Sequence, residues 1–495
     1  MPAAVTFPAD EVNRASAARS AMWSVVENGG MAVISFVSLI VYARFLAVSD
    51  FGLFSIMLAI VETMLLVVTM LCHDALVQRP DINELHYDTA FSASLVLSAL
   101  LMGVCWLIAP LLSQRTGSSD AAAVLRWMSL SLPLGAVSAT IAARRRRGLE
   151  FRALALRSLI GRSVGALAGI VLVLLGATFW GLVAQQVLVV LFGSLVLWFS
   201  SHDRPRVRFG LTEFRELIAF SSFSVAALFV LFSTKRAFIA LAGIALGTHS
   251  AGLLNLSFRV VDTFWVLAAT AVSQIALPIL SRLRGEDERF QRVFRTANAF
   301  TYLTLSFCFV LIASTAPEIV EILFGKEWLG AAPYVTILAM IGLIQGSRLL
   351  LSPVLTALGR PRDVLVAQVA ELILVLGALL LLGAPSIGWA LAIWAARECL
   401  GGVILATLLR RATGVDLRAH LATGVVPLAC AAVMFGVLWE CRSLLPVTWG
   451  LASRLAVLAP LGLGVYVACA FVLNRRLVVE LLEFGHTAIR RPTRP

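Results

Sequence analysis

The segments RFLAVSDFGLFSIMLAIVET (Arg44–Thr63) and IALGTHSAGLLNLSFRVVDT (Ile244–Thr263) are two copies of one pattern, 200 residues apart. In each copy an apolar helix is followed by a turn near a glycine and by a second apolar helix, which carries a carboxylate at the same place, Glu62 or Asp262. The positions that are identical in the two copies are Leu46, Gly52, Leu53, Val61, Thr63 and Leu246, Gly252, Leu253, Val261, Thr263. The repeat predicts a helical hairpin that the fold uses twice.

The composition is that of a membrane protein. Of the 495 residues, 60% are hydrophobic and 14% charged, and the mean hydropathy is +0.92, whereas soluble domains carry roughly 25% charged residues. Apolar stretches of about 20 residues recur, each long enough to cross about 30 Å of hydrocarbon. Helices satisfy their own backbone hydrogen bonds there. We therefore expect an all-α polytopic membrane protein with about 14 transmembrane helices.

No motif for catalysis or for a cofactor is present in the sequence. The seven cysteines lie in or beside apolar segments without paired spacing, which indicates neither a disulfide framework nor a metal site. No Gly-Lys-Ser/Thr loop for ATP phosphates occurs. The longest outer connection, of about 15 residues by the hydropathy pattern, leaves no room for a catalytic domain. We expect no catalytic residue, no metal and no cofactor.

The arginines predict the orientation in the membrane. Of 40 basic residues, 28 fall in segments on the side of the amino terminus and five in or beside the opposite connections. Basic loops stay in the cytoplasm, so both termini are predicted to be cytoplasmic. The net charge of +12 then reflects topology and attraction to anionic membrane lipids, and no nucleic-acid partner is needed.

The repeat also predicts the domain organisation. Six helices followed by six helices in the same orientation imply parallel repeats, which in transporters rock about a central site. Pro110 and Pro317 are each expected to end an outward-going helix. The predicted divisions are a cytoplasmic tail (1–19), an N-lobe (20–200), a pseudo-symmetric C-lobe (201–409), two additional helices (410–472) and a basic tail (473–495).

Two stretches carry a family resemblance. YARFLAVSDFGLFS (Tyr42–Ser55) and the basic turn RRRRGLEFRALA (Arg144–Ala155) resemble the polysaccharide transporter family, the Wzx-like oligosaccharide flippases of the multidrug/oligosaccharidyl-lipid/polysaccharide (MOP) exporter superfamily. The likeness covers about residues 18–475. It implies a fourteen-helix MOP flippase fold in the bacterial inner membrane.

The resemblance also implies a function and partners. The substrate would be an undecaprenyl-diphosphate-linked oligosaccharide, moved from the inner to the outer leaflet for exopolysaccharide, capsule or O-antigen synthesis. A polysaccharide polymerase and export machinery would be partners, and a monomer is expected because one chain encloses a complete pathway. A lipid II flippase and an ion-coupled multidrug exporter of the same superfamily remain alternatives.

Five basic residues fall deep within predicted helices: Lys235, Arg236, Arg259, Arg348 and Arg397. A charge at the bilayer centre costs about 2.5–3.5 kcal/mol on insertion scales and faces a cavity or a partner. Because phosphate oxygens bind guanidinium and ammonium groups strongly, Lys235, Arg236 and Arg259 are the predicted diphosphate ligands. The alternative is that these residues form internal ion pairs with Glu62 and Asp262.

Roles for Glu62 and Asp262 follow from their depth. They either neutralise the basic residues or carry a coupling ion, H⁺ or Na⁺, and we favour neutralisation.

Three further predictions concern arginines in the helices. Arg348 is expected to form a structural ion pair with Glu371. Arg397 and Glu398 are adjacent and so are expected to point to different faces of their helix. Arg162 is expected to lie near a helix end and to extend to the membrane interface.

Overall fold

The computed structural model describes residues 14–201, 204–282, 287–414, 417–446 and 449–473, and this part of the chain is helical without strands. It contains one short 3-10 helix (Lys326–Ala331) and these α-helices: α1 Arg14–Phe45, α2 Val48–Met70, α3 His73–Gln78, α4 Glu84–Thr116, α5 Ala121–Ser129, α6 Ser131–Arg147, α7 Phe151–Leu174, α8 Trp180–Ser200, α9 Leu211–Leu246, α10 Thr248–Arg282, α11 Asp287–Phe324, α12 Ala332–Ser347, α13 Leu351–Ala357, α14 Pro361–Leu382, α15 Ile387–Thr413, α16 Leu417–Leu444 and α17 Leu451–Leu473.

Within the described residues, 13 helical segments are long and apolar enough to cross a membrane. Three of them join consecutive helices: α2 with α3, α5 with α6, and the 3-10 helix with α12 and α13. The remaining predicted span, 251–276, is covered by α10, whose side chains are described only as far as Val266. The prediction of an all-α polytopic membrane protein is confirmed. The predicted basic tail and most of the predicted amino-terminal tail lie outside the described residues.

The two hairpins of the repeat keep their spacing. Helix α2 begins at Val48 and α10 at Thr248, so the offset of 200 residues is preserved. The turns lie a few residues earlier in the chain than the predicted positions near Gly52 and Gly252, because both glycines are buried within a helix. The second reversal is made instead by Gly247, whose φ of +88° is readily adopted only by glycine.

The two prolines that were expected to end helices lie inside them. Pro110 is within α4 and Pro317 within α11. A proline removes a backbone donor and crowds the preceding turn, and α11 is kinked at Thr315 (φ −112°, ψ 15°), two residues before Pro317. The helices continue beyond the prolines because only helical backbone satisfies its polar groups in hydrocarbon.

Glycines let α7 and α8 pack closely. A Cβ atom at Gly165 would lie 2.5 Å from Val189 Cγ2 and 2.9 Å from the Gln185 carbonyl oxygen, and one at Gly169 would lie 2.7 Å from the Gly181 carbonyl oxygen. Small residues four apart allow such backbone approach between membrane helices. The glycine repeat of α7 therefore explains this helix pair.

The chain divides into two compact units, Met1–Ala240 and Leu241–Pro495. The division falls within α9. The charged residues of the membrane interior are consequently shared between the units: Glu62, Lys235 and Arg236 in the first, and Arg259, Asp262, Arg348, Glu371, Arg397 and Glu398 in the second.

Candidate functional site: charged clusters at mid-membrane

An ion pair lies at the middle of the membrane-spanning helices in the first unit. Arg236 Nε donates to Glu62 Oε2 over 2.9 Å. Glu62 is 14 residues from the start of the span Val48–Gln78, and Arg236 is 11 residues from the start of Val225–Leu246. At 1.5 Å per residue these depths are about 21 and 16 Å. The pair is therefore far from both membrane surfaces.

The Glu62–Arg236 pair remains accessible. The side chain of Arg236 is 29% exposed and that of Glu62 34%. Arg236 also donates from Nη1 to the Phe232 carbonyl oxygen over 3.2 Å. A guanidinium presents five N–H donors in a planar fork, so this partly exposed arginine has the capacity to bind a second anion besides Glu62.

The other predicted diphosphate ligands lie on α9 and α10. Lys235 is half-buried and directly precedes Arg236 on α9. Arg259 and Asp262 are half-buried on α10, three residues apart, a spacing that places two side chains on neighbouring positions of one helix face. Lys235 and Arg236 thus form a dibasic pair in the first unit, and Arg259 and Asp262 lie in the second.

Four charged residues of the second unit form a closed ring, here called the charge quartet: Arg348, Glu371, Arg397 and Glu398. Arg348 lies where α12 meets α13, Glu371 on α14, and the other two on α15. Arg348 Nη1 is 3.0 Å from Glu398 Oε2, and Arg397 Nη2 is 2.7 Å from Glu371 Oε2. Arg348 also contacts Glu371, and Arg397 contacts Glu398. Each carboxylate therefore binds both arginines.

The four side chains of the quartet are largely buried. Its two arginine side chains are 12% and 13% exposed and its two glutamates 2% each. Gly401 makes room for it, because a Cβ atom there would overlap Glu371 Oε1 and Arg348 Nη1. The charges sum to zero, and each of the four carboxylate oxygens accepts from an arginine.

An aromatic pair covers one arginine of the quartet. The Arg397 guanidinium lies over the Trp394 ring, 4.3 Å from its centroid. The Phe258 ring packs edge-on against Trp394 at 5.2 Å. A cation over an indole face is attracted by the ring quadrupole, by about 2 kcal/mol when it is desolvated. The quartet is thus held by packing as well as by charge.

The structure brings together Arg348 and Glu371, the pair expected from the sequence, and adds two residues to them. The expectation that Arg397 and Glu398 point to different faces is wrong, since the two side chains contact each other and the same pair of partners. An arginine side chain is long enough to reach around its own helix, and the absence of a side chain at Gly401, one turn later, leaves room for Glu371 and Arg348. A glycine four residues after a membrane-embedded arginine is the sequence signal that could have revealed this cluster.

Two other interior contacts were missed by sequence reasoning. Glu318, 1% exposed, accepts from Arg442 Nε over 3.0 Å. Arg162 Nη1 donates to Ser35 Oγ over 3.1 Å from a position 11 residues inside the span Phe151–Leu174. The expectation that Arg162 lies near a helix end is therefore wrong, because α7 extends from Phe151 to Leu174 and Arg162 lies at its middle.

No group of three or more His, Cys, Asp or Glu side chains suited to a metal ion occurs among the described residues. The chemistry offered by the interior consists of cationic donors, neutralising carboxylates and hydroxyl groups. Cationic donors of this kind form charge-assisted hydrogen bonds with anions.

Sequence comparisons identify relatives of this chain. A family model described as "Polysaccharide biosynthesis protein" matches residues 41–333. The succinoglycan biosynthesis transport protein ExoT of Rhizobium meliloti (strain 1021) is 28% identical over 335 residues, which are 66% of this chain and 67% of ExoT. The lipopolysaccharide biosynthesis protein WzxC of Escherichia coli (strain K12) is 22% identical over 342 residues, 66% of each chain. The matches thus span about two thirds of these relatives.

Solved structures show the same fold. The lipid II flippase MurJ in an inward closed conformation superposes with a TM-score of 0.74 at 13% identity, over 92% of this chain and 99% of MurJ. An inward-facing multidrug resistance MATE family transporter of the MOP superfamily gives 0.53 at 13% identity, over 84% and 95% of the two chains. The resemblance to polysaccharide transporters of the MOP superfamily is confirmed, and at these identities the structural likeness speaks to fold alone.

Proposed function

We propose that this chain, which belongs to the polysaccharide biosynthesis protein family, is a flippase for an undecaprenyl-diphosphate-linked oligosaccharide. It would move the repeat unit across the bacterial inner membrane by alternating access, for the synthesis of an exopolysaccharide, capsule or O-antigen. The observation that carries the proposal is the accessible, mid-span pair of Arg236 and Glu62 beside Lys235. The names of the relatives, ExoT and WzxC, support a saccharide-related substrate.

The diphosphate is the part of the substrate that the protein must stabilise within the membrane. Its charge has no favourable place in hydrocarbon, whereas the polyprenyl chain does. Lys235 and Arg236 would replace the water around the phosphates with charge-assisted hydrogen bonds, which are roughly twice as strong as neutral ones. Participation of Arg259 remains a prediction from the sequence.

Glu62 has the role of a neutralising partner in this proposal. Without substrate it holds Arg236 by one hydrogen bond and so limits the cost of a lone charge at mid-membrane. With substrate, the phosphate competes with Glu62 for the guanidinium. A carboxylate that binds weakly enough to be displaced favours release as well as capture. Asp262 would do the same for α10, and coupling to H⁺ or Na⁺ through either carboxylate is the alternative.

The proposed activity is transport without a chemical step. The relatives named above include transport proteins, and the described interior offers ion pairs rather than an acid–base or nucleophilic arrangement. The protein would act between the enzymes that assemble the lipid-linked unit and a polymerase with its export machinery. One chain would suffice for one pathway.

A deletion strain tests the proposal directly. We would extract undecaprenyl-linked glycans from cells lacking the gene and identify them by mass spectrometry, with a strain complemented by the wild-type gene as the control. Complete repeat units accumulating, with the polymer lost, are expected. Truncated units would instead indicate a sugar-transferring role, accumulated lipid II would indicate the peptidoglycan precursor as substrate, and an unchanged lipid pool would favour a drug exporter.

The proposed orientation has its own test. A cysteine introduced beside Gly117, at the end of α4, should react with an impermeant maleimide on intact cells, and one beside Gly148, after α6, should react only after lysis. Both glycines lie in turns at helix ends. The reverse pattern would place the termini outside the cytoplasm.

A further inference from the structure

The linker between α8 and α9 (204–210) is fastened along α4 and forms one wall of an apolar groove. Arg206 N donates to Asp88 Oδ1 over 2.7 Å, and Gly210 N donates to Thr89 Oγ1 over 3.0 Å. Ser92 Oγ donates to the Arg208 carbonyl oxygen over 2.8 Å. The three α4 side chains are buried, so these bonds are shielded from water and the groove wall is pre-formed.

The groove is lined almost entirely by hydrocarbon. It has a volume of about 640 Å³, and eight of its ten lining residues are apolar: Leu71, Ala93, Val96, Leu97, Leu100, Val207, Phe209 and Phe214, with Ser92 and Arg208 completing the lining. Its α4 wall extends from Ser92 to Leu100, about 12 Å along the helix axis. A stretch of alkyl chain fits this shape and this chemistry.

The linker presents basic and apolar side chains in alternation. Arg204, Arg206 and Arg208 are exposed, and Val207 and Phe209, between and after them, are 77% and 55% exposed. Segments that combine apolar and basic groups lie at the membrane interface, with the apolar groups in the acyl region and the basic groups among the lipid headgroups. The linker therefore lies at the boundary between hydrocarbon and headgroups.

The α4 wall opens toward lipid. Val96 and Leu100 are 61% and 63% exposed on a helix that spans the membrane, so hydrocarbon must cover them. Arg208 lines the groove and Arg204 and Arg206 are exposed on the same linker, on the side that the arginine distribution predicts to be cytoplasmic. Charge complementarity thus favours an anionic lipid over a zwitterionic one.

We propose that this groove is a binding site for an anionic glycerophospholipid of the cytoplasmic leaflet. One acyl chain lies between α4 and the linker, and the phosphate lies beside Arg208. The site is distinct from the mid-membrane charges and does not depend on the proposed flippase activity. Its function is to hold the linker, and with it the start of α9, against the membrane surface.

Photo-crosslinking in lipid nanodiscs tests the site. The full-length protein carries benzoylphenylalanine at Val96, in the groove, or at Leu380, which is 70% exposed on α14 outside it and has no basic residue near it in the sequence. Nanodiscs contain equal amounts of phosphatidylglycerol and phosphatidylcholine, and mass spectrometry identifies the crosslinked lipid. At Val96 we expect phosphatidylglycerol to exceed phosphatidylcholine about fivefold, the effect of one basic residue near the surface. At Leu380 the ratio should be about one.

Charge variants complete the test. Arg208→Ala should bring the ratio at Val96 toward one, whereas Arg115→Ala, an exposed arginine in the last turn of the same helix, should leave it unchanged. Size-exclusion chromatography checks that each variant is folded. Equal ratios at Val96 and Leu380 would mean annular lipid only and would overturn the proposal. So would preferential crosslinking to added undecaprenyl phosphate, which would assign the groove to the carrier lipid instead.

Discussion

The Glu62–Arg236 pair and the charge quartet are built from the same two residue types within membrane-spanning segments, yet they differ in how accessible their side chains are. The pair is about one-third exposed and leaves donors of Arg236 available to a second anion, whereas the quartet glutamates are 2% exposed. In the quartet every carboxylate oxygen contacts an arginine. Burial and saturation therefore separate a site that can exchange partners from one that holds helices together.

The largest expected effect follows from opening the quartet. Glu371→Ala leaves two arginines facing one carboxylate, and removal of one partner of a buried ion pair costs about 3–5 kcal/mol. We expect a large loss of folded protein, measured by fluorescence-detected size exclusion after heating. The double variant Glu371→Gln with Arg348→Met keeps the ion pair of Arg397 with Glu398, which has no net charge. It should recover part of the loss. Wild-type stability of Glu371→Ala would show that the quartet does not support the fold.

The next effect concerns substrate binding at the exposed pair. Arg236→Ala should leave the protein folded but weaken binding of a polyprenyl diphosphate about 10- to 150-fold, since hydrogen bonds to charged groups contribute about 1.5–3 kcal/mol. Lys235→Ala should act in the same direction, and Lys235→Ala with Arg259→Ala should abolish polymer output at normal expression. Binding to purified protein and polymer yield are the measurements.

Glu62→Gln is the matched control for that experiment. It removes the competing charge but keeps a side chain of the same size, so binding should be retained or tightened. Normal polymer output from the Lys235, Arg259 double variant would contradict the role given to these residues. Loss of binding in Glu62→Gln would show that the carboxylate does more than neutralise Arg236.

A smaller effect is expected from crowding the quartet. In Gly401→Ala the new methyl group meets Glu371 and Arg348, and overpacking of this kind costs about 1–3 kcal/mol. The neighbouring Gly402→Ala has no atom within 4 Å of the added Cβ and should be neutral or stabilising by its helix propensity, about 1 kcal/mol. Equal melting temperatures for the two variants would contradict the packing that the structure shows around Gly401.

The smallest effect belongs to an exposed ion pair outside the membrane interior. Hydrogen bonds from His86 and Arg79 hold the pKa of Glu216 below its ordinary value of 4.5, and Arg79 Nη2 is 2.8 Å from Glu216 Oε2. A carboxyl group whose pKa is lowered in the folded protein stabilises the fold fully at a pH above its ordinary pKa. This stabilisation is lost as the pH falls through the lowered pKa of the folded state. The melting-temperature difference between wild type and Glu216→Gln should therefore be small but present at pH 7, should begin to shrink below about pH 4.5, and should vanish once the pH is below the lowered pKa of the folded state. A difference that persists at low pH would point to packing rather than charge.

Sequence reasoning reached the pairing of Arg348 with Glu371 but not the rest of the quartet. The depth of each charge can be counted along a helix, because the rise per residue is constant. The direction of a long side chain cannot be counted in this way, and the contact of Arg397 with Glu398 is seen only in the tertiary structure. The partner of Glu62 shows the same limit, since Lys235 and Arg236 are adjacent and only the tertiary structure places Arg236 Nε 2.9 Å from Glu62 Oε2.

Helix ends show where local rules hold and where they do not. The 200-residue offset of the repeat persists in the starts of α2 and α10, because both copies follow the same apolar pattern. Pro110 and Pro317 were expected to end helices, as they often do in water. In hydrocarbon a broken helix leaves unsatisfied backbone groups, so α4 continues past Pro110 and α11 continues past Pro317 through a kink at Thr315.

The sequence by itself determined that this protein is a helical membrane protein of a known transporter family, with a repeated hairpin and with charges deep in its spans. These properties depend on composition, hydropathy and depth along a helix, which are read one segment at a time. Tertiary structure decided which of those charged side chains are buried and which stay accessible to a ligand. That distinction depends on neighbours from other helices, because only packing removes a side chain from solvent or leaves it open to a ligand.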